Sequence, residues 1–252
     1  MYNIIINFLV SYLFVSYLFV LQYFFLHYII LAVILMFKLI GKLMNYIISV
    51  TQTKGGATKT TTCINLLGAL LEKGFNAVLC DMDKDKPDAL FWADLGDSLN
   101  KRVMPLYEEN PKPILDKLAN ENDFIIIDTP PNMQAAALKA TILSDFVIIP
   151  CSVSELDKNA LNQAASSAIM ASKPYSFLAS RVTKNTLSTK DLLSQLTETG
   201  NHFLTSITNS VDMIECQKFG KWVGTYKPGC KNHMQYKKLA TELTKKLQNI
   251  TV

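Results

Sequence analysis

Two hydrophobic periods alternate along the chain. Short continuous apolar runs occur at Tyr46–Val50, Asn76–Asp81, Asn122–Asp128, Asp145–Pro150 and Tyr175–Ser180. Such runs have the length and composition of strands covered on both faces. Between the first two, Ile64, Leu67, Leu70 and Leu71 recur at helical spacing within residues 62–73, and Gly74 ends that run. Residues 114–118, 135–143, 156–171 and 190–196 read as further helices, with an edge strand over 103–107. A last strand over 203–207 is followed by two more helices. Strand and helix in strict turn predict an α/β domain with a doubly wound, mostly parallel sheet. No repeat or linker divides it after residue 44.

The first 43 residues follow neither period. No charged residue occurs from Met1 to Phe37, and Phe8–Phe37 is almost wholly apolar. That predicts a hydrophobic N-terminal helix, long enough for the roughly 20 residues that cross a bilayer. Lys38 and Lys42 follow at once, which would leave the remainder in the cytoplasm. A cleaved signal peptide is disfavoured, because there is no basic start and no short apolar core. A second reading stands beside the anchor. Ser-Tyr-Leu-Phe-Val occurs twice in tandem from Ser11 to Val20, and Met44 stands just before the first strand. Residues 1–43 are then upstream sequence translated from too early a start, and residues 44–252 are the working domain.

Composition removes several classes. The formal net charge of +4 over 252 residues does not itself imply a nucleic-acid partner. The five cysteines lie far apart and form no C-x-x-C pair, which argues against a zinc site, a bridging iron–sulfur cluster or a disulfide framework. His27, His202 and His233 make no metal constellation.

The chemistry gathers after the first strand, at Lys54-Gly55-Gly56-Ala57-Thr58-Lys59-Thr60-Thr61. A loop of small residues between a strand and a helix binds phosphate. Glycine admits close approach, backbone N–H groups turn inward, and the helix N-terminus adds a favourable dipole. Lys59 would reach the outer phosphates and the Thr60 hydroxyl would hold Mg²⁺. The ordinary pattern G-x-x-x-x-G-K-[ST] fails, because positions 53 and 58 are both Thr. The deviant form Lys-Gly-Gly-x-Gly-Lys-Thr fits, with Thr58 in place of its last glycine. If that backbone needs a positive φ, Thr58 carries strain of roughly 1–2 kcal/mol.

The second strand delivers Asp81-Met82-Asp83 to its carboxyl end, where open α/β sheets place ligands. Alternation along a strand would turn both carboxylates to one site. The central run Ile125-Ile126-Ile127-Asp128 ends in an aspartate able to serve Mg²⁺ through water, and Thr129-Pro130-Pro131 stops the strand.

Deviant loop, Asp-x-Asp, Ile-Ile-Ile-Asp-Thr-Pro-Pro and Ser-Asp-Phe-Val-Ile-Ile-Pro appear in the order and spacing of the ParA/MinD group of P-loop ATPases. The chain from Met44 to about Leu247 resembles that group, and most of all its small plasmid-partition members. The resemblance implies a P-loop NTPase fold, ATP and Mg²⁺ as cofactors, and a homodimer with ATP sandwiched between subunits. It implies that Lys54 reaches across that interface and that Asp83 positions or activates the attacking water. Asp81 would support the magnesium environment, together with Thr60 and Asp128. It also implies nonspecific DNA binding in the ATP state, a centromere-binding ParB-like partner and a cytoplasmic, nucleoid-associated protein. Lys84-Asp85 replaces the group's usual Pro-Gln after Asp83.

Lys218, Lys221, Lys227, Lys231, Lys237, Lys238, Lys245 and Lys246 crowd the last segment. Lysines on phosphates supply sequence-independent, salt-sensitive affinity, and Lys218, Lys221, Lys237 and Lys238 are the candidate DNA contacts. A solvated helix face is the plain alternative. Two other functions compete: a MinD-like positioning ATPase held at the inner membrane by the N-terminal helix, and a bacterial tyrosine kinase. The kinase usually carries a tyrosine-rich tail, which this chain lacks.

Overall fold

The computed structural model describes residues 13, 16–18, 20–33, 45–52, 54, 56–131, 134–153 and 158–250. The chain separates into two compact units, Met1–Met44 and Asn45–Val252. In the first, Ser16–Val33 lies in one helix of mean hydropathy 1.7, and none of that stretch is buried. Tyr23, Phe24, Phe25 and Tyr28 are all more than 60% exposed, so the apolar surface runs round the helix instead of forming a stripe. The flanking Lys38, Lys42 and Met44 lie outside the described residues.

Among the described residues the second unit holds six strands: β1 (Tyr46–Val50), β2 (Ala77–Asp81), β3 (Val103–Pro105), β4 (Phe124–Asp128), β5 (Phe146–Cys151) and β6 (Tyr175–Ala179). They form one sheet in the order β3-β2-β4-β1-β5-β6, and every pairing is parallel. The helices are α1 (Lys59–Glu72), α2 (Asp88–Asp94), α3 (Lys112–Ala119), α4 (Gln134–Leu143), α5 (Lys158–Met170), α6 (Leu187–Thr199), α7 (Asp212–Lys218), α8 (Val223–Tyr226) and α9 (Lys231–Ile250).

Strand alternation sends side chains to two faces, and each face has its own core. Ile48, Val50, Leu79, Ile126 and Ile148 pack with α1, α2, α8 and α9. Ile125, Ile127 and Val78 meet α3 and α4, while Val147, Ile149 and Phe177 meet α5 and α6. Helices on both faces of a parallel sheet make this a doubly wound fold of the P-loop NTPase type.

Two expected elements differ. The run 203–207 is no ladder strand: it touches the sheet through bridges at Phe177–His202 and Val182–Thr208 and one further bond, from the Ile207 N–H to the Ala179 carbonyl at 2.8 Å. Between those bridges the N–H groups of Leu204 and Thr205 turn to the Glu242 carboxylate, at 2.7 and 3.0 Å, so an α9 side chain replaces the ladder. The edge strand ends at Pro105, and the Leu106 N–H closes its pairing with a bond to the Asp81 carbonyl at 2.8 Å. Helix α2, on which the apolar pattern was silent, begins just after Pro87, and three helices follow residue 210 instead of two. The expected helix start at Leu156 lies outside the described residues.

Candidate nucleotide-binding site

Register builds the site. Val50 and Asp81 flank Asp128 across adjacent strands, so the loop leaving β1 starts beside two carboxylates at the sheet's carboxyl edge. The Thr129 hydroxyl donates to the Val50 carbonyl at 2.9 Å and ties the ends of β4 and β1 together. Beyond this edge lies a cleft of about 910 Å³, part of it open to solvent, lined by Gly56, Ala57, Thr58, Lys59, Thr60, Thr61, Asp83, Lys86, Trp92, Asp128, Arg181 and Gln217 among others. Thus the loop, Asp83 and Asp128 share one cavity. Gly55 lies outside the described residues, and Lys54 is exposed next to the loop.

The loop has the backbone its sequence suggests. Gly56 sits at φ 75°, where a side chain is strained. Thr58, the residue in the glycine position, sits at φ 63° and ψ 21° as the N-cap of α1 and makes no side-chain cap. Its Oγ1 is buried without a hydrogen-bond partner. A β-branched residue in left-handed backbone is an outlier, so the strain expected from the sequence is present.

Asp128 is the chemical centre. Burial drives its carboxyl up to about 7, opposed by Thr60, while Asp81 pushes it up further and Lys59 and Cys63 pull it down. Its Oδ1 is buried with no hydrogen-bond partner. A buried carboxylate oxygen without a partner, next to a hydroxyl and a lysine, is what a hard cation would complete, so these residues fit Mg²⁺. No group of three or more His, Cys, Asp or Glu among the described residues could hold a metal alone. A magnesium ion here would take most of its ligands from phosphate and water.

The two aspartates expected to face one site do different things. Strand β2 ends at Asp81, so alternation does not extend to Asp83. Asp81 is fully buried, and its carboxylate accepts N–H bonds from Asp83 at 2.9 Å, Ala89 at 3.0 Å and Leu90 at 3.3 Å. It holds the first turn of α2 and stays out of the cleft lining. Burial raises it to about 6 against those donors. Asp83 does reach the cleft, its Oδ1 held by the Lys86 N–H at 3.0 Å.

A second recess of about 740 Å³ adjoins the first and shares Thr58, Thr61, Arg181 and Gln217 with it. Ser180, Thr208, Asn209, Met213 and Tyr236 complete much of its wall. Arg181, Asn209 and Gln217 were missed by motif reading. Arg181 had a signal, since it follows a predicted strand at the carboxyl edge where ligands bind. Asn209 and Gln217 had none, because only tertiary packing brings them there.

The four candidate DNA lysines stand on two different parts of the fold. Lys218 ends α7 and Lys221 follows it, both exposed; Lys237 and Lys238 lie on α9. Lys237 is paired with Glu72 at 2.6 Å, while Lys238 is exposed.

Comparison with known proteins adds the following. The family model described as the CobQ/CobB/MinD/ParA nucleotide binding domain matches residues 48–223. The maintenance of carboxysome distribution protein A of Halothiobacillus neapolitanus is 33% identical over 117 residues, covering 44% of this chain and 53% of that protein. The chain thus spans about half the length of that relative. The septum site-determining protein MinD of Pyrococcus horikoshii, solved with Mg-ADP, superposes with a TM-score of 0.67 at 20% identity, over 82% of this chain and 99% of that one. A plasmid partition protein of Borrelia burgdorferi bound to AMPPNP superposes at 0.63 with 18% identity, over 80% and 99%.

Proposed function

Since the chain belongs to the CobQ/CobB/MinD/ParA nucleotide-binding family, we propose that it is a Mg-ATP-dependent ATPase that partitions DNA, and that two copies sandwich ATP. Three of the relatives bear names that state positioning or partition, while a further structural neighbour is a cobyrinic acid a,c-diamide synthase. The observation that carries the ATPase reading is the single cleft lined by the deviant loop, Asp83 and Asp128. Lys59 and the loop N–H groups bind the β- and γ-phosphates. Thr60 and Asp128 would hold Mg²⁺, which supplies charge neutralisation on the phosphates. Asp83 orients water for attack: only its N–H bonds Asp81, and its carboxylate lines the cleft. Base and ribose occupy the adjoining recess. Lys54 completes the partner's site across the dimer.

DNA binding rests on lysines, and Lys238 and Lys245 are the better candidates on α9, since both are exposed. Lys246 lies over the Phe203 ring at 5.5 Å, and Lys237 is paired. Binding should require ATP, ignore sequence and fall steeply with salt. A pelleting assay on unrelated DNA duplexes, with and without ATP and across salt, tests this. Binding that ignores both ATP and salt would remove the partition reading. In the partition reading, a ParB-like partner supplies the hydrolysis trigger.

A second reading is favoured by one observation, the helix of Ser16–Val33 with no buried residue. If that segment is in the mature protein, the cargo is positioned from a membrane. Flotation of the full chain with vesicles separates the two readings.

A further inference from the structure

Helix α9 packs along α1 and along the irregular segment after α6, and its inner polar row is fully engaged. Gln235 Oε1 accepts from Thr208 N at 3.2 Å and from Thr208 Oγ1 at 3.1 Å. Asn232 Nδ2 donates to Thr208 O at 2.8 Å and lies 3.4 Å from Gln235 Oε1. Every polar group of Thr208 is therefore bonded by α9, although Thr208 and Asn232 are only 5% and 1% exposed. Two turns further on, Glu242 takes the N–H groups of Leu204 and Thr205.

These bonds matter because the segment they hold has no strand ladder of its own. Its backbone meets the sheet side at Phe177–His202, at Val182–Thr208 and through the Ile207 N–H on the Ala179 carbonyl at 2.8 Å. Yet Ile207, Thr208, Asn209 and Ser210 form one wall of the recess that adjoins the phosphate cleft. Tyr236, next to Gln235 on the same helix, lines that recess too, and its hydroxyl faces Thr62 in the first turn of α1. The wall is thus braced by α9 on one side and by Ala179 and Val182 on the other, and Tyr236 refers it to the same helix turn that carries the phosphate loop. Asn209 brings a free-standing amide to the recess, with two donors and one acceptor to offer a nucleobase edge.

We propose that Gln235 and Asn232 are positioning residues of the nucleotide site. They fix Thr208 so that the recess takes base and ribose, and they leave the phosphate cradle untouched. This rests on the nucleotide reading above. Removing the Gln235 acceptor leaves a buried N–H unpaired, a loss the wall relieves by shifting.

The test compares ATP with inorganic tripolyphosphate, which lacks base and ribose, by calorimetry on the full chain with Mg²⁺. Gln235→Ala should weaken ATP about tenfold and leave tripolyphosphate unchanged. Gln235→Glu retains an acceptor oxygen for all three donors and should bind ATP as wild type does. Asn232→Asp sets a carboxylate against the Thr208 carbonyl and should again weaken ATP alone, and it carries the comparison if Gln235→Ala does not fold. Unchanged ATP affinity, equal losses for both ligands, or a Glu variant as weak as Ala would overturn the proposal. Wild type binding both ligands equally would do so as well, since the recess would then be unused. Wild type binding neither ligand would instead remove the nucleotide reading on which the proposal stands.

Discussion

At the scale of single residues, the loop carries strain that can be measured. Thr58 holds φ 63° with a buried, unpartnered hydroxyl. Thr58→Gly should stabilise the nucleotide-free protein by about 1–2 kcal/mol, read from urea unfolding; no gain would show that the loop relaxes in solution. The two buried aspartates set a pH dependence. Asp128 and Asp81 are raised to about 7 and about 6, above their unfolded values, so the folded state holds their protons more tightly. Their contribution is complete below about pH 4 and is lost as pH rises through those values. Glu72 works the other way. Burial pushes it up, but its bonds from Lys237 and His233 bring it below its usual value, so its contribution is lost only in more acid solution. The melting temperature of nucleotide-free protein should therefore rise from about pH 8 to about pH 5, and Asp128→Asn should flatten most of that slope. Mg-ATP affinity should fall over the same range, because magnesium needs the ionised carboxylate. Asp83→Ala should keep ATP affinity, lose hydrolysis and collect as an ATP-bound dimer on a sizing column; wild-type turnover would refute its assignment to water.

At the scale of elements, α1 is held by packing that leaves no room. A Cβ on Gly68 would lie 2.2 Å from the Trp222 ring, and the Asn65 Oδ1 accepts the Val223 N–H at 2.8 Å, fixing α8 on the same helix. His233 accepts the Gly229 N–H at Nδ1 and donates from Nε2 to Glu72 at 2.7 Å, so α9 closes the far end of α1. Gly68→Ala should cost about 1–3 kcal/mol by overpacking, seen as a lower urea midpoint, and a neutral result would mean that Trp222 is free to move. The strands were readable because each is a continuous apolar run with a loop at both ends. The phosphate loop and Asp128 were readable because their spacing is local. What stayed hidden depends on long-range partners. Glu242 removes a predicted strand from 35 or more residues away, Asp81 becomes a helix cap through Ala89 and Leu90, and Asn209 reaches the recess from a segment bonded to Val182.

At the scale of the whole molecule, the two units call for separate tests. Every residue assigned to the site lies at or beyond Lys54, and both cores of the sheet are built from residues of the second unit. Intact-mass measurement of the native protein, with fractionation, decides the first unit. A mass including Met1 in the membrane fraction would favour the anchored reading, and a mass beginning at Met44 would assign residues 1–43 to upstream sequence. The central claim, that the loop after β1 is a phosphate site, is tested most directly by titrating a fluorescent ATP analogue with Mg²⁺ into wild type and Lys59→Ala. Lys59 is nearly buried in the cleft, and its loss removes a charge-assisted phosphate contact. The variant should keep its circular dichroism spectrum and lose most nucleotide binding; wild-type affinity in Lys59→Ala would contradict the account.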